Sequence, residues 1–386
     1  MLALLLTLAL LLRLLAVLAL PPEDDYPDSI DYLGFARVLA DGTGWLHESL
    51  RPPLYPLVLA VLVRPGGGLL AVKLLQVLLD LLLLALLVAM ARRLGIDRRL
   101  ALLAGALWAV NPFAIQFARL ILSEPLGDVL LVAALGVWVQ LFREPHARGG
   151  AVAGVLLSAS ALTRASALPV IPVAIALLAA CGPAPAPERR RAALALAASA
   201  ALLIAPWTAR NYAVYGEVVL VAPTGGRSLW DGLSDYADGG PRYRGPSVWP
   251  HVGNAARDDR LYRELAVQWA REHPGRVLSL ALEKQKRFWS PIPNIEKYRR
   301  MPYLLVAFYE APLIAAGLAG CALALMRRRR AAVLVPVVAC FAALHTVYLG
   351  SVRYRMPIEP LQCLIAALLV QEAFLGGSAP EADAAV

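Results

Sequence analysis

Charge is scarce in this 386-residue sequence: Asp, Glu, Lys and Arg together make up 17% of it, and histidine occurs five times. That is too little charge to cover a soluble surface of this size. Cysteine is as sparse. Its four copies, Cys181, Cys321, Cys340 and Cys363, lie in or at the end of apolar segments without metal-ligand spacing, which predicts buried free thiols and argues against a zinc site. Period-2 alternation is missing, which excludes barrel strands, and no solenoid repeat is present. Only the short Pro/Ala stretch 182–187 is low in complexity.

What is abundant is apolar length. Hydrophobic residues make up 59% of the chain and the mean hydropathy is +0.61. Leu- and Ala-rich runs such as Leu2–Leu20, Leu69–Met90 and Pro302–Met326 match the roughly 30 Å hydrocarbon core at about 1.5 Å per helical residue. Spans are expected at about 2–20, 69–90, 100–117, 124–141, 151–164, 166–181, 193–207, 302–326, 332–350 and 358–375. The first is too long for a signal-peptide core and lacks a basic leader, so it reads as an uncleaved helix.

The net charge of +9 would suit nucleic acid in a soluble protein, but the arginines are not gathered in one patch. They cluster between the runs, at Arg92–Arg93 with Arg98–Arg99, Arg143–Arg148, Arg189–Arg191 and Arg327–Arg330. With ten spans all four clusters fall on the side of the N-terminus, which the positive-inside rule makes cytoplasmic. The segment Pro52–Val63 is apolar but too short to cross and reads as a re-entrant or interfacial helix. Loop 21–68 and the long loop 208–300 then share the extracytoplasmic face. The expected architecture is an all-α polytopic membrane protein with about ten transmembrane helices, extracytoplasmic juxtamembrane helices and one long extracytoplasmic loop. It divides into a module 1–207 carrying the first outer loop, a loop region 208–301, and C-terminal helices with a short cytoplasmic tail, 302–386.

That outer face collects the chemistry-bearing residues. In Asp28-Ser-Ile-Asp31-Tyr32-Leu-Gly-Phe35-Ala36 the positions Tyr32, Phe35, Ala36 and Leu39 predict an amphipathic helix along the membrane surface. Asp28 at its start suits an N-cap or a general base that takes a proton from an attacking hydroxyl. Arg51, held by Pro52 and Pro53 at the boundary, is either an interfacial anchor or a bidentate ligand of a lipid phosphate. Glu124, at the outer end of a span, either pairs with Arg119 or faces a polar cavity. Lys73, Gln76 and Asp80 form a stripe on one helical face, suited to internal pairing, with Lys73 in reach of a phosphate. Arg164 sits in the turn after the fifth span. Arg210, in Trp207-Thr-Ala-Arg210-Asn211, and Arg353 with Arg355, in Arg353-Tyr-Arg355-Met-Pro357, are outer-boundary guanidiniums that either snorkel or bind an anion.

Taken in order, Asp28-Ser-Ile-Asp-Tyr32, Arg51-Pro-Pro-Leu-Tyr-Pro, Leu122-Ser-Glu-Pro125, Leu162-Thr-Arg164, Pro206-Trp…Arg210-Asn-Tyr…Gly216 and Arg353-Tyr-Arg-Met-Pro357 resemble the GT-C glycosyltransferases along nearly the whole chain. The likeness is to their dolichyl/polyprenyl-phosphate-sugar branch, which includes the protein mannosyltransferases (glycosyltransferase family 39) and the lipid A aminoarabinose transferases. The resemblance implies an inverting displacement with Asp28 as base. The family often has Glu after that Asp, where this chain has Ser29, and Asp24, Asp25 or Asp31 are alternatives for sharing the task. It implies Arg51 on the donor phosphate, Glu124 as the second acidic residue, and Arg210 and Arg353 as further basic candidates. Lys73, Arg119, Arg164 and Arg355 complete the expected phosphate-binding set. The implied partners are a polyprenyl-phosphate-sugar donor, a glycan, glycolipid or protein acceptor, and membrane lipids, with no nucleic acid. No cofactor is strictly required, and a divalent cation stays open. The implied location is the plasma (inner) membrane with the site extracytoplasmic. A transporter or flippase for a lipid-linked saccharide is the rival reading. The two halves of the chain look unlike, and most charges lie at the outer boundary rather than the midplane, which favours the enzyme.

Overall fold

The computed structural model describes residues 1–20, 27–42, 44, 48–63, 68–241, 251–294, 303–327 and 329–374. Asp24 and Asp25 lie outside them. Among the described residues the chain is helical throughout, with no strand. The first half comprises α1 (Leu2–Ala19), α2 (Pro27–Ala40), α3 (Leu54–Val63), α4 (Leu69–Arg93), α5 (Arg98–Ala109), α6 (Pro112–Arg119), α7 (Glu124–Leu141) and α8 (Ala147–Thr163). It is followed by α9 (Val170–Ala180), α10 (Ala186–Tyr215), α11 (Gly225–Gly232), α12 (Ala255–Glu272), α13 (Pro274–Phe288), α14 (Tyr303–Met326), α15 (Val335–Val347), α16 (Val352–Arg355) and α17 (Glu359–Phe374).

The protein is a multi-pass membrane protein, and length and apolarity alone support seven or eight of the ten expected spans. Seven helical stretches among the described residues are long and apolar enough to cross. An eighth arises if α5 and α6, bent by 51°, are one broken span. The break has a local cause: Asn111 caps α6 by accepting from the Ala114 N–H, and Pro112 stands in its first turn. The expected spans 151–164 and 166–181 appear as shorter apolar helices, Ala147–Thr163 and Ala165–Ala180. They are interrupted at Arg164, whose backbone is extended. The described residues of the expected loop region 208–301 carry the polar helices α11 to α13.

Two devices bring the helix ends into register. Gly150 and Gly154 let α8 lie directly on α10: a Cβ at Gly150 would come within 2.1 Å of the Ala192 carbonyl oxygen, and one at Gly154 within 2.3 Å of the Leu196 oxygen. Small residues four apart are how membrane helices approach backbone to backbone. The α4 stripe supplies the second. Asp80 accepts from Arg13 Nε of α1 at 2.6 Å and from Trp108 Nε1 of α5 at 3.1 Å. Gln76 Oε1 accepts from the Tyr55 hydroxyl of α3 at 2.5 Å and from the Leu122 N–H at 3.1 Å, while its Nε2 donates to the Leu120 carbonyl. Buried polar side chains of this kind are affordable only when fully paired. One glutamine thereby ties α3 to the segment that delivers Glu124.

Candidate active site

The expected surface helix is α2, and its buried face holds Ser29, Tyr32, Leu33, Phe35 and Ala36. It is pinned to the α6–α7 link by Ser29 Oγ donating to the Ile121 carbonyl at 3.0 Å and by a 2.9 Å hydrogen bond between the Tyr32 and Ser123 hydroxyls. Tyr32 also meets Tyr55 of α3 edge to face, with centroids 5.0 Å apart. These contacts fix the first turn of α2, where Asp28 stands, against the first turn of α7, where Glu124 stands.

The acidic and basic side chains brought together there form one alternating row. Asp31 accepts from Arg51 at 2.6 Å, and the same guanidinium reaches Asp28 Oδ1 at 2.5 Å. The other Asp28 oxygen is bonded by Arg353, which also bonds Glu124 through its Nε. Glu124 in turn accepts from Arg164 at 2.7 Å. Three carboxylates and three guanidiniums thus neutralise one another. The row is graded in exposure: the Arg51 side chain is 27% exposed, Asp28 18%, Arg353 11% and Glu124 1%. Arg51 additionally lies over the Tyr32 ring, 5.3 Å from its centroid.

The electrostatics follow from that geometry. Burial by itself would raise the Asp28 carboxyl, but the Arg353 and Arg51 guanidiniums outweigh it and bring it from 3.8 down to about 2. Arg51 is held protonated: burial works against its charge, and Asp28 foremost among its neighbours pushes its pKa up. A guanidinium that bridges two carboxylates is also one that a phosphate could recruit, since both anions present the same pair of oxygens to its fork.

Five of the nine expected site residues, Asp28, Glu124, Arg51, Arg164 and Arg353, therefore meet in one row. Glu124 is partnered by Arg164 and Arg353 rather than by Arg119. Arg119 is buried at the end of α6 and donates to Gln116 at 3.0 Å. Arg210 stacks on the Trp207 ring at 4.5 Å and donates to Asn211, and Lys73 is buried in α4. Arg355, expected on the phosphate, is fully buried in a different network. It pairs with Glu310 at 2.7 Å and Glu359 at 3.2 Å and donates to the Phe288 and Ser290 carbonyls at 2.8 and 2.9 Å. Asp31 was only an alternative base in the sequence, yet here it is the outer partner of Arg51. Its spacing of three from Asp28 on one helix face was the available signal. Among the described residues no three His, Cys, Asp or Glu side chains gather as a metal cluster.

No protein-family model matches the chain, and no curated protein does either. Solved structures do. The oligosaccharyltransferase AglB of Archaeoglobus fulgidus, in complex with an inhibitory peptide and a dolichol-phosphate, superposes with a TM-score of 0.57 at 13% identity over 96% of this chain. The fold is GT-C. The apo form of the Archaeoglobus fulgidus oligosaccharyltransferase matches with the same score, identity and coverage. This chain spans half the length of those relatives, 50% of each. The GT-C likeness rests on helix arrangement, since 13% identity carries no residue-level correspondence.

Proposed function

We propose that this protein transfers a sugar from a polyprenyl-phosphate-linked donor to an acceptor hydroxyl, with inversion, at the extracytoplasmic face of the plasma (inner) membrane. The observation that carries the reading is the Arg353 bridge, which joins the two carboxylates Asp28 and Glu124 with Arg51 and Arg164 on either side. The dolichol-phosphate in the AglB complex supports a lipid phosphate as the ligand class.

In the resting row Asp28, at about 2, is too weak a base to help an alcohol attack. The donor phosphate changes that. Its oxygens compete for Arg51 and Arg353, and each guanidinium drawn onto the phosphate leaves Asp28 with one cation fewer and a higher proton affinity. The acceptor oxygen then forms a bond to the anomeric carbon while the bond from that carbon to the phosphate oxygen breaks. The electron pair leaves on polyprenyl phosphate, where the arginines hold the developing charge, and the hydroxyl proton passes to Asp28. Glu124 keeps Arg353 and Arg164 in place throughout.

The test is purified protein in detergent with polyprenyl-phosphate sugars and a set of glycan, glycolipid and peptide acceptors, scored by release of polyprenyl phosphate. Asp28→Asn should lower turnover by about 10²–10⁴. Addition of EDTA should leave turnover unchanged, because guanidiniums carry the charge. A loss restored by Mg²⁺ or Mn²⁺ would transfer that role to a cation between Asp28 and Glu124. Donor recovered intact with every acceptor, together with its movement across vesicles, would establish a flippase instead.

A further inference from the structure

Arg51 reaches the row from a short irregular segment that has no backbone ladder to hold it. Neither Ser49 nor Arg51 belongs to a helix, and the next two residues, Pro52 and Pro53, have no backbone N–H to contribute. The backbone groups of Ser49 and Arg51 are nevertheless paired, and two side-chain hydroxyls do the pairing. Ser49 Oγ accepts from the Arg51 N–H at 3.1 Å and donates to the Arg51 carbonyl at 3.2 Å. The Tyr215 hydroxyl accepts from the Ser49 N–H at 2.9 Å and donates to the Ser49 carbonyl at 3.0 Å. A hydroxyl both gives and receives, so one suffices for the donor and the acceptor of a whole residue.

Tyr215 is fixed in its turn. It is the last residue of α10 and 2% exposed, and Gly216 ends the helix behind it in the left-handed conformation, with φ 69°. The Tyr215 carbonyl accepts from Asn254 Nδ2 at 3.0 Å, and Asn254 caps α12 by accepting from the Ala256 and Arg257 N–H groups. The Ala255 N–H at the same helix start donates to the Glu48 carboxylate at 3.1 Å. These contacts close a ring from Glu48 through α12 and Tyr215 to Ser49, so the segment before Arg51 is held from two sides. Paired backbone groups are common in any fold. What singles out this ring is that it ends two residues before the guanidinium that bonds both Asp28 and Asp31.

We propose that Tyr215, acting through Ser49, is a positioning residue for Arg51 in its phosphate-binding role. That role of Arg51 rests on the transferase reading; Tyr215 itself touches neither donor, acceptor nor the reacting atoms. A guanidinium fork grips a phosphate only when its plane and two N–H groups are aimed at the oxygens, and a displacement of about 1 Å can cost about 10²-fold in rate. Loosening the two hydroxyls therefore acts on donor binding and on the leaving phosphate, and leaves the acceptor KM unchanged.

The test is a double-mutant cycle on the purified full chain in detergent, with melting temperature as the folding control. Affinity for bare polyprenyl phosphate is measured by native mass spectrometry, and turnover by release of polyprenyl phosphate from its glycosylated forms with the acceptor set above. Tyr215→Phe removes both bonds to Ser49 and keeps the ring. It should weaken polyprenyl phosphate about tenfold and lower kcat/KM for the donor at least as much, with the acceptor KM unchanged. In an Arg51→Ala background the same substitution should have no further effect, since no guanidinium is left to aim. Ser49→Ala keeps the Tyr215 contacts and removes only the hydroxyl on Arg51, so it should give the same pattern should Tyr215→Phe fail to fold, and Ser49→Thr should restore most of the affinity. The proposal is overturned when Tyr215→Phe and Ser49→Ala bind polyprenyl phosphate as wild type does. It is also overturned when their losses persist undiminished in the Arg51→Ala background, which marks a general loosening of the fold. An Arg51→Ala protein that binds and turns over normally overturns it as well and leaves the transferase reading standing. A wild-type protein whose polyprenyl phosphate binding shows the coupling between Tyr215 and Arg51, but which never releases polyprenyl phosphate from a glycosylated donor, would overturn the transferase reading and leave the positioning of Arg51 standing.

Discussion

Asp28→Asn should destabilise the protein by an amount that depends on pH. Catalytic carboxylates are often sites where removal stabilises, because they are held in place at a cost. The row around Asp28 predicts the opposite sign. Its carboxyl falls from an ordinary 3.8 to about 2 in the folded protein, and each tenfold change in proton affinity corresponds to about 1.36 kcal/mol. The charged carboxylate therefore contributes about 2 kcal/mol to folding at neutral pH. Its side chain is only 18% exposed, so solvent screening removes little of this. Because the folded value lies below the unfolded one, the contribution is complete above about pH 5 and is lost as pH falls toward 2, with roughly half left at pH 3. The assay is reversible unfolding of wild type and Asp28→Asn in mixed micelles between pH 3 and 7. The gap should be near its full size at pH 5–7 and shrink on acidification. A gap that stays constant across this range, or an Asn variant more stable than wild type at pH 7, would refute the assignment of Asp28 to a clamped, ionised carboxylate.

Other outcomes follow from the same geometry. In the transfer assay Arg51→Ala should weaken donor binding and slow turnover more than Arg51→Lys, since lysine keeps the charge and loses the fork that Asp28 and Asp31 now occupy. Arg355→Met should cost about 3–5 kcal/mol in unfolding experiments because it strands Glu310 and Glu359 as buried charges, and adding Glu310→Gln and Glu359→Gln should recover most of it. For topology, single cysteines at the exposed positions Ile30 and Gln268, in a cysteine-free background, should both react with an impermeant thiol reagent from outside. Reaction of only one would separate α2 from α12 across the membrane and remove the shared face.

The fold class was legible in the sequence because apolar runs of bilayer length leave the backbone no alternative to helices. The surface helix at Asp28 was legible from its period, and the shortness of Pro52–Val63 from its length. The interruption at Arg164 was legible as the turn between two expected spans, whereas the bend at Asn111-Pro112 was not, since it falls inside apolar composition that reads as continuous. Which charges meet was decided only by tertiary structure. Arg353 and Asp28 are 325 positions apart, and no local pattern distinguishes Arg353, which bridges two carboxylates at the outer boundary, from Arg355 two residues later. In α16 these two side chains, separated by Tyr354, point to different faces of the turn, one toward α2 and α7, the other into the core against Glu310 and Glu359. Tyr215 is the clearest case: it is one residue at the end of a long helix, and its two bonds to Ser49, 166 positions away, exist only once the end of α10 meets the segment before Arg51. Sequence specifies which residues must leave water. It does not specify which buried charges will neutralise one another, because that depends on distances of a few ångströms between helices far apart in the chain.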